Sequence, residues 1–485
     1  MKNLISIFKN TSLFRITFLV CIFFTMVSFI QVVAYCALIV LGIWAIALLI
    51  YNIVKRNVIL KTRFGFWLVL FLLLSLVTGF IHIQDNFIYN IIITLHSAIC
   101  FFLFYSIHTE SNLNFRTELY TVCKFIVYIT TIIGIIGISF LFAGISFEVL
   151  WIKFIIYENR FTSFYSNPNL LGFVSVCGII CTHMLCKKDF IQLSEMKRES
   201  RIMITTSFVI NAVCLFLCDS NSSIVLMACY CVFFLIYKFF GSERKFTLRE
   251  ILIKSIATLL IGTFLILAVF SVRSITQHGF TEIIKEADIV TENREDKDTE
   301  EILESSSIIT FSHINENIDS GRFDLWKQAA HMFKDFPLFG IGKGNVYAYG
   351  EMMFENGIKF SDIYGDFLSQ FVTDFHNGYA TLLVCTGILG FIVFVIFGVR
   401  FLLKITVHVF RDDSLVESVL PCMYSFICAY LVYAFFEKAL LFDVSFIVMF
   451  FWLILGYTSC FLEKYENDHS KSIYIGKLRL RKSLF

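Results

Sequence analysis

The chain has 485 residues, of which 58% are hydrophobic, 17% aromatic and 16% charged, with a mean hydropathy of +0.77 and a net charge of +2. Soluble globular domains carry about 25% charged residues, so polar surface is too scarce here to cover a water-exposed particle of this length. Lipid is the fitting solvent, and no basic patch interleaved with aromatics gives reason to expect a nucleic-acid partner.

A membrane-crossing helix needs about 20 apolar residues. Between Arg15 and Lys55 lie 39 residues without an Asp, Glu, Lys or Arg, enough for two helices with a tight turn near Gln31. This stretch offers no small-residue cleavage site and runs directly into a second span, so it reads as retained rather than as a cleaved signal. Hydropathy predicts further spans at 64–83, 88–107, 122–144, 168–186, 203–218, 222–240, 255–273, 378–400, 416–436 and 440–460. The expected fold is an all-α polytopic membrane protein of about 12 spans with one large extracytoplasmic loop, 274–377, containing short helices. The organisation reads as spans 1 to 5 over residues 1–144, a transmembrane region over 145–460 and a basic tail over 461–485. No internal repeat is visible.

Lys and Arg concentrate in cytoplasmic loops. With a cytoplasmic N-terminus, 28 of the 40 Lys and Arg fall inside, and nine of the other 12 are Arg273 and the eight in the one long loop, where the rule is weak. The short outside loops hold only Lys153, Arg160 and Lys438. Both termini are therefore expected in the cytoplasm. The 15 cysteines fall mainly in apolar stretches and read as small buried hydrophobes. The long loop has none, so it must hold its shape without disulfides.

Polar chemistry gathers in two places on the outer side. The first precedes span six: Arg160, then Asn167-Pro168-Asn169 and Gly172. Asn167 suits a helix N-cap and Pro168 the first turn. The long loop is the second. A structureless loop of this length would be unusual, which argues for a functional subdomain. Its acidic, Thr-rich part spans 282–304. Residues 321–335 then read as an amphipathic helix with Phe323, Trp326, Ala330 and Phe333 on one face, suited to lying on the membrane surface. Pro337 should end it. Gly340-Ile341-Gly342-Lys343-Gly344 follows, either a plain turn or a backbone cradle for phosphate. His376-Asn377 stands at the outer mouth of span ten, where a lone His is more often a structural hydrogen-bonder than a proton acceptor. Arg160, Arg322 and His376 share one membrane face by this orientation. Two Arg with a His suit an anionic, lipid-linked substrate, because Arg grips phosphate oxygens bidentately and His can take a proton near neutral pH.

These residues resemble the O-antigen ligase and O-antigen polymerase superfamily of bacterial surface-polysaccharide enzymes. Three pieces carry the resemblance. They are Arg160 with Asn167-Pro168-Asn169 and Gly172; Gly321-Arg322, Trp326 and Pro337-Leu338-Phe339-Gly340-Ile341-Gly342; and His376-Asn377 followed after nine residues by Gly387-Ile388-Leu389-Gly390. Phe436-Glu437 to Phe451-Trp452 looks like the family's closing helices. The resemblance covers roughly 155–460.

It implies glycosyl transfer outside the cytoplasmic (inner) membrane, from an undecaprenyl-diphosphate-linked glycan donor to a glycan acceptor. His376 would be the general base, with Arg322 and Arg160 on the diphosphate. Asn377, Trp326, Lys343 and Asn167 would touch substrate. Gly387 and Gly390, expected one turn below His376, would let helices approach closely. Direct attack by the acceptor would invert the anomeric carbon, and because the lipid diphosphate is a good leaving group the two Arg could replace a metal, so an inverting, metal-independent reaction without cofactor is expected. The acceptor could be another lipid-linked repeat of an O-antigen, capsule or exopolysaccharide, or lipid A core in lipopolysaccharide; the motifs do not separate polymerase from ligase. A chain-length regulator and a flippase are candidate partners. A transporter or lipid flippase is the rival of another class, but its ionisable residues should sit near the midplane, where only His96 is a clear candidate. A structural assembly protein is the remaining alternative.

Overall fold

The computed structural model describes residues 8–82, 84–110, 114–149, 152–157, 160–191, 201–241, 322–355, 375–411 and 417–482, with scattered residues between 250 and 279. The chain is mostly helical. Its helices are α1 (Thr11–Phe24), α2 (Gln31–Arg56), α3 (Gly65–Ile81), α4 (Phe87–Ile99), α5 (Phe115–Phe142), α6 (Pro168–Leu185), α7 (Arg201–Leu217), α8 (Asn221–Phe240), α9 (Arg322–Asp335), α10 (Val346–Glu355), α11 (Gly378–Arg411), α12 (Leu420–Tyr433) and α13 (Phe446–Lys482). Among the described residues, seven helices are long and apolar enough to cross a membrane: Ser28–Arg56, Phe87–Thr109, Phe115–Phe142, Pro168–Leu185, Asn221–Phe240, Gly378–Arg411 and Phe446–Glu466. Shorter apolar helices at Thr11–Phe24, Gly65–Ile81, Arg201–Leu217, Ile253–Phe264 and Leu420–Tyr433 accompany them. The apolar window of α13 is 89% buried and that of α2 only 28%, so α13 is central and α2 peripheral. The residues expected to form the basic tail continue α13 as helix to Lys482.

One local feature follows the sequence reading and two differ from it. The break between α1 and α2 falls at residues 25–30, just before Gln31. This run has no Gly, Pro, Asn or Asp, and another segment supplies part of its backbone bonding. Ser28 donates its N–H to the Phe164 carbonyl (3.0 Å) and Ser166 donates to that of Met26 (3.1 Å).

The all-α expectation missed a small antiparallel sheet, β1 (Phe147–Val149), β2 (Ile152–Tyr157) and β3 (Arg160–Ser163), in that order. Tyr157 pairs with Arg160, and a register shift falls at Ile155/Ile156. The β-rich Phe154-Ile155-Ile156-Tyr157 run was a signal for it. The sheet rests on α5. Ser163 donates to the Ile133 carbonyl (3.1 Å), and Gly137 is where a side chain would strike Ser163.

The second difference is the face of α9. Gln328, Ala329 and Met332 are its buried residues, while Phe323 and Ala330 are exposed. The stripe assigned from spacing is therefore rotated. The helix packs against α11, and that docking, rather than apolar periodicity alone, selects the buried side.

Beyond Pro337 the chain threads back into the bundle. Ile341 and Gly342 donate to the carbonyls of Val384 and Cys385 (both 3.0 Å), and Ile388 donates to that of Pro337 (2.8 Å). Gly387 interrupts α11 at φ 62°, ψ −173°, opening the groups that receive this segment. Thr78 of α3 donates to the Phe339 carbonyl (2.6 Å), and Asn90 of α4 accepts from the Gly344 N–H (2.7 Å). The glycine segment is thus no phosphate cradle: the Ile341, Gly342 and Gly344 N–H groups are spent within the protein.

At the opposite pole, Arg15 of α1 is fully buried. It makes a bidentate pair with Glu118 of α5 (2.7 and 2.9 Å), bonds Glu110 (2.6 Å) and donates to the Leu103 carbonyl (3.2 Å). Tyr457 of α13 also donates to Glu118 (2.9 Å). Four parts of the bundle meet in this cluster.

Candidate active site

The connection between α12 and α13 is folded inward. Tyr430 donates to the carbonyls of Ala439 (2.5 Å) and Ile447 (3.0 Å), and Trp452 donates to that of Leu440 (3.0 Å). These bonds anchor Glu437, a carboxylate held 12% exposed. Ser222, in the first turn of α8, donates to its Oε1 (3.0 Å). Arg322, the first residue of α9, places Nη2 3.6 Å from the same oxygen. His376 faces Oε2 through Nδ1 at 3.4 Å.

Asn377 explains how His376 is held. Its side-chain oxygen accepts from the N–H groups of Tyr379 (2.9 Å) and Ala380 (3.0 Å), so it caps α11. His376 precedes the cap in the left-handed region, at φ 43°. A non-glycine residue held there is strained, and such strain clusters at functional sites. The Gly378 N–H donates to the Ala434 carbonyl (2.8 Å), and a side chain at Gly378 would meet Leu440. The cap of α11 and the connection carrying Glu437 are therefore locked together.

Arg160 approaches from β3. Its Nε donates to the Cys218 carbonyl (3.0 Å) and its Nη2 to the Asp219 carbonyl (2.9 Å) and to Asn169 Oδ1 (3.0 Å). It thus closes the C-terminal end of α7, a favourable place for a cation. Asn167 caps α6 by accepting from the Asn169 N–H (2.7 Å), with Pro168 at the first turn, as their residue types predict. Gly172 lets α6 meet α8, since a side chain there would run into Ser220 and Ser223.

A cavity of about 400 Å³ opens at this place. Asn167, Asn169, His376, Glu437, Lys438 and Asp443 are among its polar lining residues. That volume lies within the range of small-molecule sites. Arg322 reaches the cavity rim through Glu437, and Arg160 reaches it through Asn169.

Other expected site residues stand elsewhere. Lys343 borders a smaller recess behind Lys438 and Asp443. Trp326 packs edge-on against Phe323, with ring centroids 5.3 Å apart, and is not part of the cavity wall. Gly340 and Gly387 serve the interlock, and Gly390 closes on Thr386 of its own helix. Gly387 lies 11 residues beyond His376, about three helical turns or ~16 Å rather than one turn. Gly321 and the acidic stretch 282–304 lie outside the described residues. Glu437 is the residue that sequence reasoning passed over. Its signal was an acid, paired in sequence with Lys438, in the short connection between two apolar spans, where carboxylates rarely stand without a role.

Fold and site together define an integral membrane protein with a polar cavity of mixed charge at one end of its helical bundle, with two arginines beside it. Residues 206–395 match the family model described as O-antigen ligase, which supports membership of the O-antigen ligase/polymerase superfamily. The matched stretch contains Arg322, His376 and both halves of the glycine interlock, while Arg160 and Glu437 fall outside it. No curated protein matches the chain.

Proposed function

We propose that this protein polymerises a surface polysaccharide at the outer face of the bacterial cytoplasmic membrane. It would transfer an undecaprenyl-diphosphate-linked glycan onto a sugar hydroxyl of a second lipid-linked repeat. The observation that carries this reading is the meeting of Arg322 and His376 on Glu437 beside the cavity, within a region that matches O-antigen ligase.

In this reading the chain crosses the membrane twelve times, with both ends in the cytoplasm. The long and shorter apolar helices and the bias of Lys and Arg support that topology. His376 takes the proton of the acceptor hydroxyl as its oxygen attacks the anomeric carbon with inversion. The bond to the diphosphate breaks, and Arg322 with Arg160 stabilises the charge that develops on the leaving group. The diphosphate would draw Arg322 from Glu437, a weak contact at 3.6 Å. Asn169, joined to Arg160, places that guanidinium next to the cavity wall. Polymerase is preferred over ligase because polymerases and their relatives form the broader, more variable group.

The test is loss of the gene and its complementation with His376→Ala. Single repeats in place of long chains in both strains, with normal expression of the variant, is the expected result. Accumulation of uncapped lipid A core would instead favour the ligase. A purified protein that moves lipid-linked glycan across liposomes without forming a glycosidic bond would replace both readings with a flippase.

A further inference from the structure

The glycosyl-transfer reading leaves open what prepares His376 as a base. A neutral imidazole carries one proton, so one ring nitrogen donates and the other accepts. A carboxylate can only accept. Nδ1 of His376 faces Glu437 Oε2 at 3.4 Å. If Nδ1 donates there, the proton-accepting pair lies on Nε2. The contact is long for a hydrogen bond, as such contacts often are before substrate binds. Glu437 is itself held from two further elements, by the Ser222 hydroxyl at 3.0 Å from α8 and by Arg322 at 3.6 Å from α9. A side chain held on three sides, and 12% exposed, can fix another group's orientation.

We infer that Glu437 is the positioning residue of this site: it fixes the proton of His376 on Nδ1, presents Nε2 to the acceptor hydroxyl, and stabilises the imidazolium formed when the proton arrives. The inference rests on the glycosyl-transfer reading and deepens it. In the balanced step, the acceptor O–H proton passes to Nε2 while the oxygen bonds the anomeric carbon. The bond from that carbon to the diphosphate breaks, and its electron pair leaves with the diphosphate. His376 becomes a cation flanked by an anion. Arg322 contributes the reverse effect, so the carboxylate is shared between base and phosphate binder. The other charged groups of the cavity wall are Lys438 and Asp443, 4.0 Å from one another, and among the described residues the remaining polar lining, including Gln31, Asn167 and Asn169, is neutral.

The experiment uses the full-length protein in lipid nanodiscs and two readouts. The first is carbethoxylation of His376 by diethyl pyrocarbonate, followed by mass spectrometry across pH; only the neutral ring reacts. Removing a neighbouring anion disfavours the charged ring. The modification midpoint of Glu437→Gln should therefore lie below the wild-type midpoint, by roughly one pH unit. The second readout is glycan transfer, which Glu437→Gln should slow by roughly 100-fold, with the acid limb of its pH profile moved the same way. Glu437→Asp keeps the charge but withdraws it by one methylene, and should fall between the two. It carries the test if the Gln variant does not fold. An unchanged modification midpoint overturns the inference, as does wild-type transfer by Glu437→Gln. If the wild type transfers no glycan, the functional reading falls, and the midpoint still decides whether Glu437 governs His376.

Discussion

His376 and Arg322 enter the site from different parts of the chain, each at the start of a helix, and both meet a carboxylate from a third. Arg322 approaches Glu437 through one nitrogen at 3.6 Å. A guanidinium presents a planar fork of donors, whereas an ammonium is a point charge without that geometry. Arg322→Lys should therefore reduce polymer formation at least tenfold while membrane levels stay normal, measured by product length in complemented cells. Near-normal chains in that variant would argue against a diphosphate clamp. Asn377 shows how residue type alone can mislead about role. Its amide oxygen is engaged by Tyr379 and Ala380, so its adjacency to His376 reflects helix capping. Arg160 and His376 were legible as candidates because charged and titratable groups are rare in an apolar chain. Glu437 was visible for the same reason, but only its neighbours reveal what it does.

The most instructive element is the segment after α9. Pro337-Leu338-Phe339-Gly340-Ile341-Gly342 and Gly387-Ile388-Leu389-Gly390 look like two separate motifs in sequence. In the fold they are one device, exchanging backbone hydrogen bonds across the break in α11. Gly340 and Gly387 both hold positive φ, and a side chain on either would strike the other strand of the interlock. Gly387→Ala combines left-handed strain with a backbone collision. It should cost at least ~1–3 kcal/mol, seen as a lower thermal midpoint of the detergent-solubilised protein. An unchanged midpoint would mean that the break in α11 is not needed. The outer loop bears on the metal question. Asp296-Lys297-Asp298 has the spacing of a metal-binding acidic motif and lies outside the described residues. Two Arg suffice for the leaving group in the proposed reaction, so transfer should persist in excess EDTA; loss of activity that Mg²⁺ or Mn²⁺ restores would assign that motif a catalytic part.

The whole bundle is held at the pole away from the cavity by a charged cluster. Arg15, Glu118 and Glu110 join α1, α5 and the segment between α4 and α5, and Tyr457 ties in α13. Removing one member of a buried pair strands the other without solvent. Arg15→Ala should destabilise the protein by roughly 3–5 kcal/mol, read as loss of membrane-integrated protein and a lower unfolding midpoint. A variant with wild-type stability would show that the cluster is solvated.

Composition and hydropathy determined by themselves that the chain lives in lipid and approximately where its helices lie, because a bilayer demands long apolar segments whatever their neighbours are. Charge bias supported an orientation by the same solvent logic. Residue chemistry alone pointed to Arg160, Arg322 and His376. Tertiary structure decided what one-dimensional periodicity cannot carry: which face of α9 is buried, that β1, β2 and β3 form a sheet, and that the glycine motifs interlock. It also decided that Ser222, Arg322, His376 and Glu437 converge. Convergence depends on long-range packing between helices, and an apolar helix surface looks much the same in sequence whether it faces lipid or another helix.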